Sequence, residues 1–366
     1  MKIRQGIMAV VLALGLSSCV SKEVTAPDEP QVPITYSVLQ KSMGTRAVLS
    51  RTEYPKGVPF GSFAYYLPSG KTWRDNKADA QIYIDNNKVE YDATGKDSFA
   101  ANSWHSDSDI VHYWPKAGSL TFFSYSPYDV LQGKISCSNE NGLKIESWTA
   151  PMKPGNAAEG GDGVDLMIAK SENQTGNTSS VGGYQAGVPT AFKHILCQIE
   201  VKAKLNNPDE NADYVINSIT LSNIWAEATF SNEKWNSHRE SQNVEYHCGG
   251  NDGVRLNPDG KTSSTVFPAM VMIPQNRKDV SGTNERGKPS ITIKYSYIKD
   301  KNTETSYTQV SVEKTFLDID GLNQSWNQGK KYILTIAFST QDAFLEFDTK
   351  VNGWNDGTGV DIIVGD

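Results

Sequence analysis

The sequence predicts an all-β protein built as two tandem antiparallel β-sandwich domains. Three observations carry that reading. Apolar and polar residues alternate with period two along several segments, turn-forming residues separate those segments at short intervals, and no amphipathic helix of three or more turns is present. Many short strands between frequent turns mark sandwich folds. A length of 366 residues, at about 150 residues per domain, corresponds to two of them.

Residues 1–18 read as a signal peptide. Lys2 and Arg4 form a basic start, residues 7–16 form a short apolar run, and Leu16-Ser17-Ser18-Cys19 follows. A basic start, an apolar run of about 7–15 residues and small residues before a cut describe secretion, not a membrane span. The last four residues resemble a bacterial lipobox. That resemblance implies that Cys19 takes a diacylglyceryl group, becomes the mature N-terminus and holds the protein at a membrane through its acyl chains. One chain anchors marginally, and two or more anchor stably. Residues 19–33 form a flexible tether, polar and proline-rich without periodicity. The serine, lysine and acid at Ser21, Lys22 and Glu23 resemble the export signal that sends some lipoproteins of the Bacteroidetes to the cell surface.

The N-terminal domain spans residues 34–183 and the C-terminal domain residues 184–366. Ile34, Tyr36 and Val38 alternate with Thr35 and Ser37, so residues 34–39 form the first strand. A short polar connector, 41–46, follows. Leu120 and Phe122 face one way and Phe123 and Tyr125 the other, so this strand is expected to be buried on both faces. Trp114-Pro115 is an apolar anchor beside a residue that cannot extend a central strand. Residues 171–187, rich in glycine and polar side chains, read as a long loop at the domain boundary. Period-two alternation returns at 195–201, around Cys197, and at 291–297, 332–338 and 345–351. Residues 266–273 form a core strand stopped by Pro274. After a turn at 355–359, Val360, Ile362 and Val364 alternate in a short tail.

Composition excludes several functions. Lys and Arg number 35 and Asp and Glu 42, for a net charge of −7. No dense basic run overrides that field, so nucleic acid is not an expected partner. No later apolar stretch reaches the ~18–20 residues that a spanning helix needs. With Cys19 acylated, Cys137, Cys197 and Cys248 remain. Cys197 reads as a small free core residue, and a Cys137–Cys248 bridge is open. No CxxC or HxxxH pair supports zinc. His194 reads as a core histidine with a hydrogen-bond partner. Residues 160–165 match one turn of a calcium repeat without a second copy to stack on it. Asp318-Ile319-Asp320-Gly321 lacks the remaining ligands of an EF-hand loop. His105, Asp107 and Asp109 form a polar loop. There is no GxSxG, phosphate loop or HExxH, so neither an enzyme nor a cofactor is expected.

Seven phrases in fixed order resemble the fimbrillin family of the Bacteroidetes, the pilus and pilus-anchor lipoproteins. They are Gly44-Thr45-Arg46-Ala47, Tyr113-Trp114-Pro115 leading into 120–127, Asp165-Leu166-Met167-Ile168-Ala169, Phe192-Lys193-His194-Ile195-Leu196, Met272-Ile273-Pro274-Gln275, Gly329-Lys330-Lys331-Tyr332 and Val351-Asn352-Gly353-Trp354. The resemblance implies transthyretin-like sandwiches, a cell-surface fimbrium at the outer membrane, and other fimbrial subunits, a host protein or a glycan as partners. It also implies cleavage by a trypsin-like protease after an arginine, here the Arg46–Ala47 bond, with Arg51 as the alternative. Such a cut removes lipid, tether and first strand together. The vacated edge can then take another subunit's strand by β-augmentation. Either the segment exposed by the cut or the tail 360–364 could be donated, and the tail is favoured. The competing reading is a non-polymerising surface lipoprotein that binds glycans or host proteins. Trp73, Trp104 and Trp148, in polar loop-like contexts, are read as caps of the sandwich cores, with stacking on sugar rings as the alternative.

Overall fold

The computed structural model describes residues 31–41, 51–96, 99–106, 110–150, 152–155, 163–176, 187–206, 213–275, 289–298, 308–315, 319, 325–338, 345–353 and 362–363. Among these residues the chain is almost wholly β. The α-helices α1 (Trp73–Asn76) and α2 (Tyr128–Leu131) are single turns. The strands of the first half are β1 (Thr35–Lys41), β2 (Arg51–Glu53), β3 (Phe60–Leu67), β4 (Gln81–Asp92), β5 (Ser103–Ser106), β6 (Ser119–Ser126), β7 (Ile135–Ser138), β8 (Gly142–Thr149), β9 (Met167–Gln174) and β10 (Val188–His194). Those of the second are β11 (Cys197–Leu205), β12 (Asp213–Ser231), β13 (Lys234–His247), β14 (Val254–Arg255), β15 (Ser264–Met272), β16 (Ser290–Ile298), β17 (Thr308–Thr315), β18 (Lys330–Phe338), β19 (Leu345–Gly353) and β20 (Ile362–Ile363).

Seven strands of the first half close into a ring, β1-β10-β9-β6-β3-β4-β5 and back to β1. Every neighbour is antiparallel except the pair β1 and β10, which run parallel. Hydrogen bonding is therefore continuous where two separate sheets were expected. Gly187 permits the closure. Its φ is +90°, and a Cβ there would lie 2.6–2.7 Å from the backbone of Thr35 and Tyr36. The ring interior is filled by Tyr36, Phe60, Ala64, Phe122, Val188 and Phe192, among others.

Strand β6 shows how the pattern works. All eight of its residues are buried. Leu120 and Phe122 point into the ring, while Phe123 and Tyr125 point outward into a second cluster. That second cluster belongs to both halves of the chain. It takes Phe63 and Tyr65 from the ring, Leu143, Ile145 and Trp148 from the β7–β8 hairpin, and Phe230 and Trp235 from the tip of the β12–β13 hairpin.

The second half forms a five-stranded sheet, β15-β11-β18-β19-β20, and joins β7 and β8 of the first half in a seven-stranded one, β17-β16-β12-β8-β7 with β13 and β14 on β12. They face each other across one core, in which Ile199 and Val201 meet Ile216, Ile219, Ile291 and Tyr295. The alternation read at 291–297, 332–338 and 345–351 corresponds to β16, β18 and β19. Strand β9 runs on to Gln174, into the segment read as loop, because its polar residues keep pairing with β6 at Phe122 and Leu120.

Sheet membership does not follow the boundary drawn at residue 183. Strand β10 lies beyond that point yet completes the ring, and β8 lies before it yet pairs with β12. The crossing between lobes is Ile195-Leu196. Ile195 N–H donates to Leu166 C=O at 2.9 Å, Gly329 N–H donates to Leu196 C=O at 2.8 Å, and Trp235 Nε1 donates to Ile195 C=O at 2.6 Å. Phe230 is fully buried in the layer between the lobes. Phe230→Ala is therefore expected to lower stability by about 3–5 kcal/mol. A downward shift of the urea midpoint with an unchanged slope would show it.

Candidate functional site

The feature of interest is the seat of β1. Ile34, Tyr36 and Val38 are 2%, 4% and 9% exposed, so the period-two face read from the sequence is the buried face. On one side β1 pairs with β10, from Tyr36 opposite Val188 to Gln40 opposite Phe192. On the other, Thr35 and Tyr36 pair with His105 and Trp104 of β5, and Leu39 to Lys41 pair with Glu53 to Arg51 of β2. Just upstream, Ile34 N–H donates to His112 C=O at 2.8 Å and Trp114 N–H donates to Val32 C=O at 3.0 Å. Val32 and Pro33, read as tether, are thus already bonded to the body, with Pro33 bridging Tyr113.

The Tyr36 ring meets Phe60 edge-on at 5.4 Å and Phe122 edge-on at 5.9 Å. Its hydroxyl is hydrogen-bonded with Ser62, and burial pushes the phenol pKa up against that bond. Ser124 Oγ donates to Ser62 Oγ at 3.3 Å. A pair of buried hydroxyls therefore sits in a largely apolar interior. Burying three apolar side chains is worth roughly 1.5–3 kcal/mol each. Whole domains are stable by only about 5–15 kcal/mol. Taking β1 away without a replacement removes much of what holds the ring.

Tyr54 follows β2 directly and stacks on Phe192 at 4.9 Å. Its hydroxyl lies 2.5 Å from Ser126 Oγ. Near it, His194 Nδ1 and Asp165 Oδ2 are 2.5 Å apart. Burial raises the Asp165 carboxyl pKa, while the hydrogen bond and the charge of His194 pull it back. His194 is thus the partnered core histidine that its setting predicts. Asp165, last residue of the calcium-like stretch, is engaged with that histidine, and residues 160–162 lie outside the described residues.

Cys19, Arg46 and Ala47 lie outside the described residues, as do Asp107, Asp109, Asp318 and Asp320. Arg46 and Ala47 belong to the connector 42–50 that joins the antiparallel pair β1 and β2. Of the tail 360–364, Ile362 and Ile363 form β20, paired with Val351 and Lys350 of β19. Trp73, Trp104 and Trp148 are 3%, 8% and 5% exposed, each packed in a core with no free face for a sugar. His105 is buried too, stacked on Phe99 at 3.9 Å. The cysteines at 137, 197 and 248 are free thiols. Burial pushes Cys137 and Cys248 up to about 12, which leaves them protonated and inert at neutral pH.

Two participants escaped the sequence reading. Strand β10 is the parallel partner of β1, and Ser62 is the inward hydroxyl of β3. The alternation Val188, Thr190, Phe192 after Gly187 was a readable signal for the first. A serine between Phe60 and Ala64 carries no such signal.

Gly187→Ala is expected to cost at least about 1–2 kcal/mol from its left-handed backbone alone. Contact with β1 adds to that cost, and hydrogen exchange should speed first across 35–41. Burial pushes the Tyr54 pKa up to about 12, against an ordinary value near 10. The folded state then keeps a proton that the unfolded chain releases. This contribution is intact below pH 10 and is lost as pH rises from 10 to 12, by about 2–3 kcal/mol. In denaturant titrations, Tyr54→Phe should lose stability less steeply across that window than the parent.

The fold has known counterparts. A fimbrial protein from Bacteroides vulgatus aligns over 88% of this chain and 99% of its own at 19% identity, with a TM-score of 0.61. A candidate cell adhesion protein from Bacteroides uniformis aligns over 90% and 100% at 15% identity, TM-score 0.48. The fimbrial anchor protein Mfa2 from Porphyromonas gingivalis aligns over 89% and 98% at 12% identity, TM-score 0.34. No curated protein sequence matches the chain significantly. The family model described as fimbrillin-like matches residues 45–354. The chain belongs to the fimbrillin-like family.

Proposed function

We propose that the chain is a structural or adhesive subunit of a cell-surface fimbria. In this reading it is exported as a lipoprotein through Cys19 and assembled by strand exchange. The two lobes are tandem transthyretin-like units, the first closed into a ring by β1. Residues 1–18 are the leader and 19–33 the tether, whose last residues, Val32 and Pro33, are bonded to the body. The domains are 34–183 and 184–366, interleaved where β8 and β10 cross the boundary.

One observation carries the proposal. Strand β1 closes the ring, buries three side chains inside it and is followed by the connector that contains Arg46. A cut at Arg46–Ala47 separates β1 from everything downstream. Its departure exposes the inner edge of β10, the open side of β5, and β2, which pairs only with β1 among the described residues. Unpaired strand edges beside an apolar groove take up another chain's strand. Within the subunit's own tail, 360–364, Ile362 and Ile363 pair with the β19 edge as β20, and this tail is the segment the subunit offers to a neighbour.

Protein recovered from the cell surface is expected to begin at Ala47 by N-terminal sequencing. Arg46→Ala is expected to keep the lipidated N-terminus and give no ladder of oligomers on gels. Deleting residues 355–366 should leave a folded monomer that is cut normally and does not polymerise. Normal polymers from that deletion would rule the tail out as donor, and a uniform start at Cys19 would rule out the cut.

A further inference from the structure

The seat of β1 also says what kind of strand can refill it. We propose that the incoming strand carries a tyrosine at its central inward position and comes from a subunit different from this one. This rests on the strand-exchange reading above.

The seat has three inward slots, now filled by Ile34, Tyr36 and Val38. The outer two are aliphatic and unselective. The middle slot is a space between the edges of Phe60 and Phe122, at 5.4 and 5.9 Å from the tyrosine ring. It ends on the hydroxyl of Ser62, itself bonded to Ser124, and both serines are buried, at 0% and 2% exposure. The hydroxyl of Thr190, across on β10, donates to Val188 C=O at 3.0 Å, so its proton is already committed. A ring fills the gap, and a phenol completes the bonding of Ser62. An aliphatic side chain does neither. It leaves a cavity beside two aromatic rings and a buried hydroxyl with one partner fewer, and both effects weaken binding.

Neither of the two candidate donor segments of this sequence meets this demand. In the tail, Val360, Ile362 and Val364 reproduce the spacing of Ile34, Tyr36 and Val38, with Ile362 in the middle slot. A shift by one residue brings Asp361 or Ile363 there, and a shift by two brings a valine. Residues 355–366 contain no aromatic residue, and neither do residues 47–53, which the cut would free. Tyr54, the next aromatic, is fixed against Phe192 and Ser126. The acceptor seat and the tail of this chain are therefore mismatched, and the junction at this seat is between unlike subunits.

The test uses the full chain, nicked in the connector 42–50 either at Arg46 or at an inserted site-specific protease sequence. Fluorescent peptides then compete for the seat against the resident strand. The probes are residues 32–41 unaltered, the same peptide with Tyr36→Phe or Tyr36→Ile, the tail peptide 355–366, and that tail with Ile362→Tyr. The unaltered 32–41 peptide is expected to exchange in. Loss of the hydroxyl in Tyr36→Phe should weaken it about tenfold, and Tyr36→Ile about a hundredfold. The unaltered tail should compete as poorly as the isoleucine peptide, and Ile362→Tyr should recover most of the difference. A Tyr36→Ile peptide within about threefold of the unaltered one, or a tail peptide that exchanges as readily, would overturn the selection for tyrosine and leave strand exchange standing. Failure of every peptide to enter, the unaltered one included, would remove the strand-exchange reading and this inference together.

Discussion

The parallel pairing of β1 with β10 is the contact on which the rest depends. Six of the seven ring strands are linked by antiparallel neighbours that succeed one another around the ring. Only β1 joins β10 to β5 and turns a curved sheet into a closed one. A closed sheet has no free edge, and free edges recruit other chains. Under the strand-exchange proposal, the same strand covers the ring's edges while present and would leave the edges of β10 and β5 open to another strand when absent.

Much of this was legible in the residues. Period-two alternation located β1, β6, β16, β18 and β19; β1, β6, β16 and β18 each have at least one face against a core, and the pleat forces the pattern. The two-faced burial of β6 could be read from Leu120 to Tyr125, since it serves the ring interior and the interlobe layer at once. Ring closure was not legible. It depends on a pairing across about 150 residues and on the backbone approach at Gly187, and period-two patterning says which face is buried but not which strand is the neighbour. The interleaving of the lobes was hidden for the same reason. Residues 142–149 carry an ordinary strand pattern and pair locally with β7, and it is the length of the β12–β13 hairpin that brings β12 to their other side.

The functional site was half visible. The first strand and its three inward residues stood out; Arg46, marked by resemblance, lies outside the described residues. The tryptophans were ambiguous, because Trp73, Trp104 and Trp148 sit among polar neighbours in sequence yet in aromatic clusters in space. Ser62 was invisible, since a lone serine in an apolar strand has no pattern to mark its role. Its importance lies in the Tyr36 hydroxyl it meets and the Ser124 hydroxyl behind it.

The clamp at Ile195-Leu196 has a mechanical meaning. In a fibre linked through the β1 seat at one end and the tail at the other, pulling force enters the ring and leaves through β19. It must cross the joint where Ile195 and Leu196 are tied to Leu166, Trp235 and Gly329. Along β10 that force acts parallel to the strand, so successive hydrogen bonds share the load in shear and do not open one at a time. In such a filament the load would pass from the ring to the second lobe through this joint and the packed layer around Phe230.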